Sequence, residues 1–217
     1  MKDIIIIGAG GFAREVKCLL DEINDFENGI NYNILGFVDD NIDANTKIHG
    51  LKVLGNIDYI LTLKEKPSLV LGIGNPKTKE VICEKFKDFD FPIIIHPSIS
   101  VKRKNISIGI GSIICEGSLL TCDIIISDFV TINLSCTIGH DTVVGKFSSL
   151  MPAVNLSGEV VIENSVFIGT GVKIINQLTI GSNTIIGAGA VVSKSLPSNC
   201  TAVGIPAKPI KYHKLHE

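Results

Sequence analysis

The sequence of 217 residues contains no tryptophan, and only 6% of its residues are aromatic. Large rings usually supply much of the buried area of a globular core, so their scarcity favours flat layers of stacked aliphatic side chains. The six cysteines form no CxxC pair, and the five histidines form no cluster at metal-ligand spacing. We therefore expect reduced structural thiols and no metal site.

Long apolar runs are also missing. The longest, Ile4–Ile7 and Ile93–Ile95, are the size of strands, far below the roughly 18 residues of a transmembrane helix. The first residues lack the extended apolar stretch and cleavage site of a signal peptide. A formal net charge of −2 gives no electrostatic argument for a nucleic-acid partner. The composition thus predicts a cytoplasmic protein with neither a membrane nor a nucleic-acid partner.

The second half of the chain has a repeat of six residues. Fifteen successive positions at this spacing are aliphatic. They are Ile108, Ile114, Leu120, Ile126, Ile132, Ile138, Val144, Leu150, Leu156, Ile162, Ile168, Ile174, Ile180, Ile186 and Val192. Glycine often follows the aliphatic residue, and a small or β-branched residue often stands four positions after it.

A period of six fits neither a helix nor a hairpin, but it fits a short strand followed by a tight corner. Three such sides close one coil of a triangular β-helix, so fifteen hexads predict five coils. The aliphatic side chains would point inward with the small residues. We expect the glycine after each aliphatic residue to relieve the backbone at the corners.

The first half alternates strands and helices, which predicts a parallel α/β sheet of the Rossmann-like kind. Its predicted strands are Lys2–Ile7, Asn33–Val38, Ser68–Ile73 and Pro92–Ile95, and its predicted helices are Ala13 to about Ile23, Tyr59–Leu63 and Lys77–Phe86. The change of period places the domain boundary between residues 96 and 97. We therefore predict an α/β domain over residues 1–96 and a β-helix over residues 97–217.

A glycine loop follows the first strand and has the relaxed dinucleotide pattern Gly8-x-Gly10-x-x-Ala13. Such glycines allow backbone amides and a helix N-terminus to approach a phosphate. Asp39 or Asp40, after the second strand, can accept a hydrogen bond from a ribose or a base. A simple strand–helix turn explains the glycines as well. A dehydrogenase is the weaker alternative, because no second half-fold follows.

The candidate catalytic base is His140, within an unbroken hexad and next to Asp141. The hexad predicts that its ring lies on the surface or at a corner. A carboxylate beside it would stabilise an imidazolium. Consecutive residues of a flat strand point in opposite directions, so this pairing requires corner geometry. A solvated histidine without a role is the alternative.

Together, an ordered set of motifs covers almost the whole chain. It comprises Gly8-Ala9-Gly10-Gly11, Phe37-Val38-Asp39-Asp40, Ile73-Gly74-Asn75, Ile95-His96-Pro97-Ser98, Asn133, Ile138-Gly139-His140-Asp141 and Val203-Gly204-Ile205-Pro206-Ala207-Lys208. This set resembles the sialic acid O-acetyltransferase and nucleotide-amino-sugar N-acetyltransferase family. The resemblance implies a left-handed parallel β-helix, acetyl-CoA as co-substrate, a sugar as acceptor and a homotrimer with active sites between neighbouring subunits.

The resemblance also implies roles for individual residues. His140 would be the base, Asp141 would raise its basicity, and Asn133 would orient the substrate. Coenzyme contacts would come from Ser149, Gly158, Thr170 and Ala188. Nucleotide-sugar contacts would come from Gly10, Gly11, Phe12, Asp39, Asp40 and Gly74. The chain departs from some members in having Asp141 instead of glutamate, and Ser149 instead of a second histidine.

Two acceptors remain open at this point. Our first hypothesis is N-acetylation of a nucleotide-linked amino sugar for surface glycan synthesis, and the second is O-acetylation of sialic acid. A zinc-dependent trimer like carbonic anhydrase would need three histidines, whereas the predicted coils contain only His140. A purely structural solenoid would not need the histidine–aspartate pair.

Overall fold

The computed structural model describes residues 1–26, 32–101 and 105–213. It separates into two compact units. The first contains Met1–Gly74 and Thr78–Pro92, and the second contains Asn75–Lys77 and the chain from Ile93 onward. The domain limits predicted from the sequence, 1–96 and 97–217, stay a prediction.

The first unit is built on a five-stranded sheet with the order β3-β4-β2-β1-β5. Its elements are β1 (Lys2–Ile7), α1 (Gly11–Asp25), β2 (Tyr32–Val38), β3 (Lys47–Ile48), β4 (Leu51–Gly55), a 3-10 helix (Ile57–Thr62), β5 (Ser68–Leu71) and α2 (Pro76–Lys85). All pairs are parallel except β3 with β4. The four isoleucines of β1 are fully buried, as a central parallel strand requires.

One predicted strand belongs to a different sheet. Ile94–Ile95 (β6) does not join the α/β sheet; it pairs in parallel with Ile113–Ile114 (β8) of the second unit. The prediction of a fourth α/β strand at Pro92–Ile95 was therefore wrong. The physical reason is that a short apolar strand can form its backbone hydrogen bonds at any open sheet edge. The first coil of the β-helix has such an edge. β4 takes the remaining parallel position, beside β2.

The second unit is a parallel β-helix with three flat faces. Face I contains β7 (Ile106–Ile108), β10 (Ile124–Ile126), β13 (Val143–Val144), β16 (Val161–Ile162) and β19 (Thr179–Ile180). Face II contains β6, β8, β11 (Thr131–Ile132), β14 (Ser149–Leu150), β17 (Phe167–Ile168) and β20 (Ile185–Ile186), extended by β22 (Cys200–Gly204) and β23 (Ala207–Tyr212). Face III contains β9 (Leu119–Leu120), β12 (Thr137–Ile138), β15 (Asn155–Leu156), β18 (Lys173–Ile174) and β21 (Val191–Val192).

The hexapeptide repeat is confirmed. Successive strands of one face pair in parallel at a spacing of three hexads, so that Thr131 pairs with Ser149 and Thr137 with Asn155. Every aliphatic side chain of the repeat except Ile108 is buried. The residue two positions before each one shares the interior, as Val130 and Val160 show. We name the corners by the faces they join in chain order: edges I–II, II–III and III–I.

The expected role of the repeat glycines was wrong. The left-handed residue at the corner stands three positions after the aliphatic residue, and it is often not glycine: φ is 57° at Ser135 and 58° at Phe129. The glycines that directly follow the aliphatic residues lie instead against the next coil. A Cβ on Gly139 would lie 2.5 Å from the carbonyl carbon of Ser157. These glycines therefore permit close stacking of coils and do not supply a left-handed backbone.

No helix within the described ranges is both long and apolar enough to cross a bilayer.

Candidate active site

His140 and Asp141 form a side-chain pair at edge III–I. Asp141 occupies the left-handed corner position, with φ of 57°, a conformation that aspartate tolerates better than most residues. The corner turns two consecutive side chains to the same side, and His140 Nδ1 lies 2.7 Å from Asp141 Oδ2. The pairing needed a corner between the two residues, and the structure has one.

This pairing determines which imidazole nitrogen can accept a proton. An ionised carboxylate can only accept a hydrogen bond, so His140 Nδ1 donates to Asp141. Nε2 is then left unprotonated in the neutral ring. The side chains are 55% and 59% exposed, so the pair lies at the surface of the chain. The arrangement suits a general base.

The backbone of His140 is held by the neighbouring coil. The amide of Glu159 donates to the carbonyl oxygen of His140 at 2.8 Å. Thr142, two residues later, is fully buried, and its hydroxyl donates to the carbonyl oxygen of Ser157 at 3.3 Å. These hydrogen bonds hold the backbone at His140 in place.

The remaining candidates of the β-helix fall into two groups. Gly158 lies at edge III–I, one coil after His140. Asn133, Thr170 and Ala188 all lie at edge II–III, because each follows a face II strand. Thr170 and Ala188 are exposed along that edge. One chain therefore carries the base on one edge and the other candidates on another.

Asn133 is mostly buried and caps its own corner. Its Oδ1 accepts a hydrogen bond from the amide of Leu134 at 2.7 Å, and its carbonyl oxygen accepts one from Ser118 Oγ at 2.8 Å. A face of about five residues between two edges spans roughly 17 Å. The structure does not bring Asn133 to His140 within one chain.

Ser149 lies on face II, between Thr131 and Phe167 in the ladder. It is fully buried, and its hydroxyl has no hydrogen-bond partner, the one such buried side-chain atom in the described part of the chain. A coenzyme contact by this side chain would require whatever covers it to move. Its predicted contact with CoA stays a prediction.

The glycine loop of the first unit combines packed and open glycines. Gly72, at the end of β5, is in tight contact with α1, because a Cβ there would lie 2.5 Å from Ala13 Cβ. A Cβ on Gly10 would have no neighbour within 4 Å, and one on Gly11 would have only the Arg14 side chain at 4.0 Å. Gly10 has φ of −75°, so neither its backbone conformation nor any neighbour in the described ranges requires glycine there. Open glycines at a helix N-terminus are what a closely bound ligand needs.

Asp39 and Asp40 follow β2 at the same carboxyl edge of the sheet. Asp39 uses both oxygens to hold backbone amides: Oδ2 accepts from Ala9 at 2.8 Å and Oδ1 accepts from Asn41 at 2.9 Å. Asp40 Oδ1 accepts from the amide of Ile57 at 2.9 Å. Asp40 is also the more exposed. Asp39 therefore fixes the loop, whereas Asp40 presents its carboxylate to solvent.

Phe12 and Gly74 lie on the same edge. Phe12 is in the first turn of α1, and Gly74 follows β5; both are half-buried. The amide of Gly72 donates to the carbonyl oxygen of Ile7 at 2.8 Å, so the chain leaving β5 runs beside the glycine loop. The carboxyl ends of β1, β2 and β5 thus bring the predicted nucleotide-sugar residues to one edge, the usual ligand edge of such sheets.

A feature that the sequence reasoning missed is a column of polar residues along edge III–I. It consists of Asn105, Asp123, Asp141, Glu159 and Gln177, one in each coil, all with positive φ. Asn105 donates to Asp123 at 2.8 Å, and Gln177 donates to Glu159 at 3.2 Å. Reading the sequence in steps of eighteen would have revealed it.

The column makes the edge negative. Beside it, the pKa of the Cys122 thiol is raised by desolvation, by its hydrogen bond with Asp123, and by the charges of Asp123 and Asp141. The thiol therefore stays protonated and is a poor nucleophile. Among the described residues, no three His, Cys, Asp or Glu side chains are grouped to hold a metal ion.

Comparison with known proteins assigns the family. Residues 3–86 match the PglD N-terminal domain, and residues 159–194 match the bacterial transferase hexapeptide repeats. The chain is 32% identical, over 95% of its length and 95% of the relative's, to GDP-perosamine N-acetyltransferase from Escherichia coli O157:H7. The chain belongs to this sugar N-acetyltransferase family.

Solved structures agree with this assignment. The acetyltransferase domain of PglB from Neisseria gonorrhoeae FA1090 superposes with a TM-score of 0.87 at 28% identity, covering 97% of this chain and 100% of that one. PerB from Caulobacter crescentus, solved in complex with CoA and GDP-perosamine, superposes with a TM-score of 0.85 at 30% identity, covering 97% and 98%. The predictions of the family, the α/β-plus-β-helix fold and an acetyl-CoA-dependent acyltransferase are confirmed.

Proposed function

We propose that this acetyltransferase moves the acetyl group of acetyl-CoA onto the amine of a nucleotide-linked amino sugar for bacterial glycan synthesis. The observation that carries the proposal is the exposed His140–Asp141 pair, with 2.7 Å between Nδ1 and Oδ2. The open glycine loop beside Asp40 supports recognition of the nucleotide by the first unit. The relative from Escherichia coli is named a GDP-perosamine N-acetyltransferase, and PerB was solved with GDP-perosamine bound.

In the proposed reaction, the ammonium group first loses one proton to solvent. The neutral amine nitrogen then attacks the thioester carbonyl carbon while a second proton passes to His140 Nε2. Asp141 stabilises the resulting imidazolium through Nδ1–H. The tetrahedral intermediate then collapses, the carbon–sulfur bond breaks, and the CoA sulfur leaves with the proton from Nε2. The amide product, the CoA thiol, neutral His140 and the one proton released to solvent complete the balance.

The charge of edge III–I favours an amine over sialic acid as acceptor. Asp123, Asp141 and Glu159 lie on consecutive coils around the base. The amino group of the sugar carries a positive charge before it loses its proton, and a negative edge attracts that end of the substrate. Sialic acid carries a carboxylate, which the same edge repels. O-acetylation of sialic acid is therefore the second hypothesis.

The division of candidates between two edges supports a homotrimer. If the edge III–I of one copy meets the edge II–III of the next, then His140 comes to lie near the neighbour's Asn133, Thr170 and Ala188. Face I, which borders edge III–I, carries a partly exposed apolar ladder: Ile125 is 51% exposed and Val161 37% exposed, with Val143 between them. Closed rings of identical subunits use one such contact repeatedly.

The proposed division of labour follows from these positions. Gly10, Gly11, Phe12, Asp40 and Gly74 contact the nucleotide sugar, and Asp39 holds their loop. Thr170, Ala188 and neighbouring small residues line the coenzyme path along edge II–III. A cytoplasmic location, as expected from the sequence, is part of this proposal.

The test measures thiol release from acetyl-CoA with a panel of acceptors: GDP-perosamine, UDP- and dTDP-linked amino sugars, free sialic acid and serine. Release with one amino-sugar nucleotide is expected, with a rate about 100-fold or more lower in His140→Ala. Release with sialic acid alone would overturn the choice of acceptor, and release with serine alone would overturn the assignment to sugars.

A further inference from the structure

Besides Asp141, the His140 ring has a second close neighbour in the next coil. β12 and β15 are paired in register, with Ile138 opposite Leu156. The same register places His140 opposite Gly158, at the same position of edge III–I. Gly158 is buried, although it lies at a corner between exposed residues.

A side chain on Gly158 would overlap the imidazole. A Cβ built there would lie 2.5 Å from His140 Cε1 and 2.9 Å from Cδ2, and closer still to Nε2. Real carbon atoms do not approach so closely. These three ring atoms are the nearest heavy atoms to that Cβ, so the space that glycine leaves open is filled by the ring.

The backbone itself does not require glycine at this position. The φ of Gly158 is not in the left-handed region. The equivalent positions on the same edge hold Cys122 two coils earlier and Asn176 one coil later, which shows that the corner accepts side chains. Gly139 is different, since its Cβ would meet the backbone of Ser157.

We propose that Gly158 is a positioning residue that seats the His140 imidazole, so that Nδ1 reaches Asp141 and Nε2 stays open to the acceptor. This inference rests on the proposed function only for its kinetic consequence. An alanine at 158 forces the ring to rotate or shift. Either movement lengthens the Nδ1–Oδ2 contact or covers Nε2. The carboxylate then no longer stabilises the imidazolium, and proton transfer slows.

The test compares Gly158→Ala with Asn176→Ala, which adds an alanine at the equivalent corner one coil later. We expect Gly158→Ala to lower kcat by about 10- to 100-fold, the scale of a misplaced catalytic group. The KM for acetyl-CoA should stay near its normal value, and Asn176→Ala should be active. A raised KM for acetyl-CoA with unchanged kcat would overturn the proposal, because glycine would then serve coenzyme binding.

A double-variant cycle with His140→Ala separates positioning from general damage. Once the ring is removed, Gly158→Ala should lower neither the residual rate nor the melting temperature further. An equal loss in both backgrounds would mean that alanine disturbs the coil and not the ring.

Long-range ¹H–¹⁵N spectra of the imidazole give a readout that needs no substrate. In the unaltered protein they should show the Nδ1–H tautomer of His140, and in Gly158→Ala a change in the ring nitrogen shifts. Unchanged signals would overturn the proposal. If no acceptor of the panel reacts but these spectra change, the positioning role of Gly158 is supported and the proposed substrate is rejected.

Discussion

Two edges of the same β-helix differ in charge and in side-chain size. Edge III–I carries His140 and the column with Asp123, Asp141 and Glu159. Edge II–III carries small and neutral residues at its left-handed corners, Gly117, Ser135, Ala153, Gly171 and Gly189. Both edges stand on the same buried aliphatic layers. The repeat determines the interior, and the edges are left free for function.

The comparison also shows why one copy is an incomplete enzyme in our proposal. A triangular prism is convex, so its edges point away from one another. The charged edge III–I can therefore meet edge II–III, with its small neutral residues, only where two copies are in contact. Variants that change one edge and leave the other intact therefore test this division.

Removing the base should have the largest effect. His140→Ala is expected to lower turnover by about 100-fold or more, because a general base contributes on that scale. Thiol release from acetyl-CoA measures it, with Asn176→Ala as the control on the same edge. Near-normal turnover would remove His140 from the mechanism.

Mixing inactive variants should restore activity if the two edges meet between copies. His140→Ala damages one edge and Asn133→Ala the other. In co-expressed mixed trimers, about a quarter of the sites would combine the two intact edges. We expect activity near that fraction, well above either variant alone. If the mixture is no more active than its components, His140 and Asn133 do not share a site between copies.

Alanine substitutions at two glycines should separate the packing demands of the edges. Gly139→Ala, at edge III–I, should destabilise the fold by about 1–3 kcal/mol through overpacking against the next coil. Gly189→Ala, at edge II–III, meets no atom within 4 Å and should cost only about 1 kcal/mol for its positive φ. Chemical denaturation measures both. Equal losses of stability in the two variants would contradict the tighter packing assigned to Gly139.

The smallest effect should come from charge alone. Glu159→Gln keeps the shape of the edge but removes one charge next to Asp141. The KM for the nucleotide-linked amino sugar, whose ammonium group faces this edge in our proposal, should rise about two- to fivefold at low salt, and the difference should shrink as salt screens it. The KM for acetyl-CoA should not change. The isosteric Gln177→Glu, which adds a charge one coil further, should shift the KM in the opposite direction.

Much of the architecture followed from the sequence because both folds have distinct periods. A six-residue period over fifteen hexads leaves one class of structure, and its inward positions were identified correctly. Ile94–Ile95 was misassigned because a two-residue apolar strand carries no period of its own. The glycines were misread because a pattern cannot distinguish a left-handed corner from a close approach of two coils.

The sequence by itself determined the layered aliphatic core and the α/β sheet before it, because both depend on periodicity. His140 became the candidate base through its hexad, its neighbour Asp141 and the family resemblance. Only the tertiary structure decided that Asp141 turns onto the imidazole, that Gly158 lies against the ring and that Asp39 is occupied by backbone amides. It also separated Asn133 from His140 onto different edges. These facts depend on φ at one corner and on contacts between residues eighteen or more positions apart, which only the folded chain brings together.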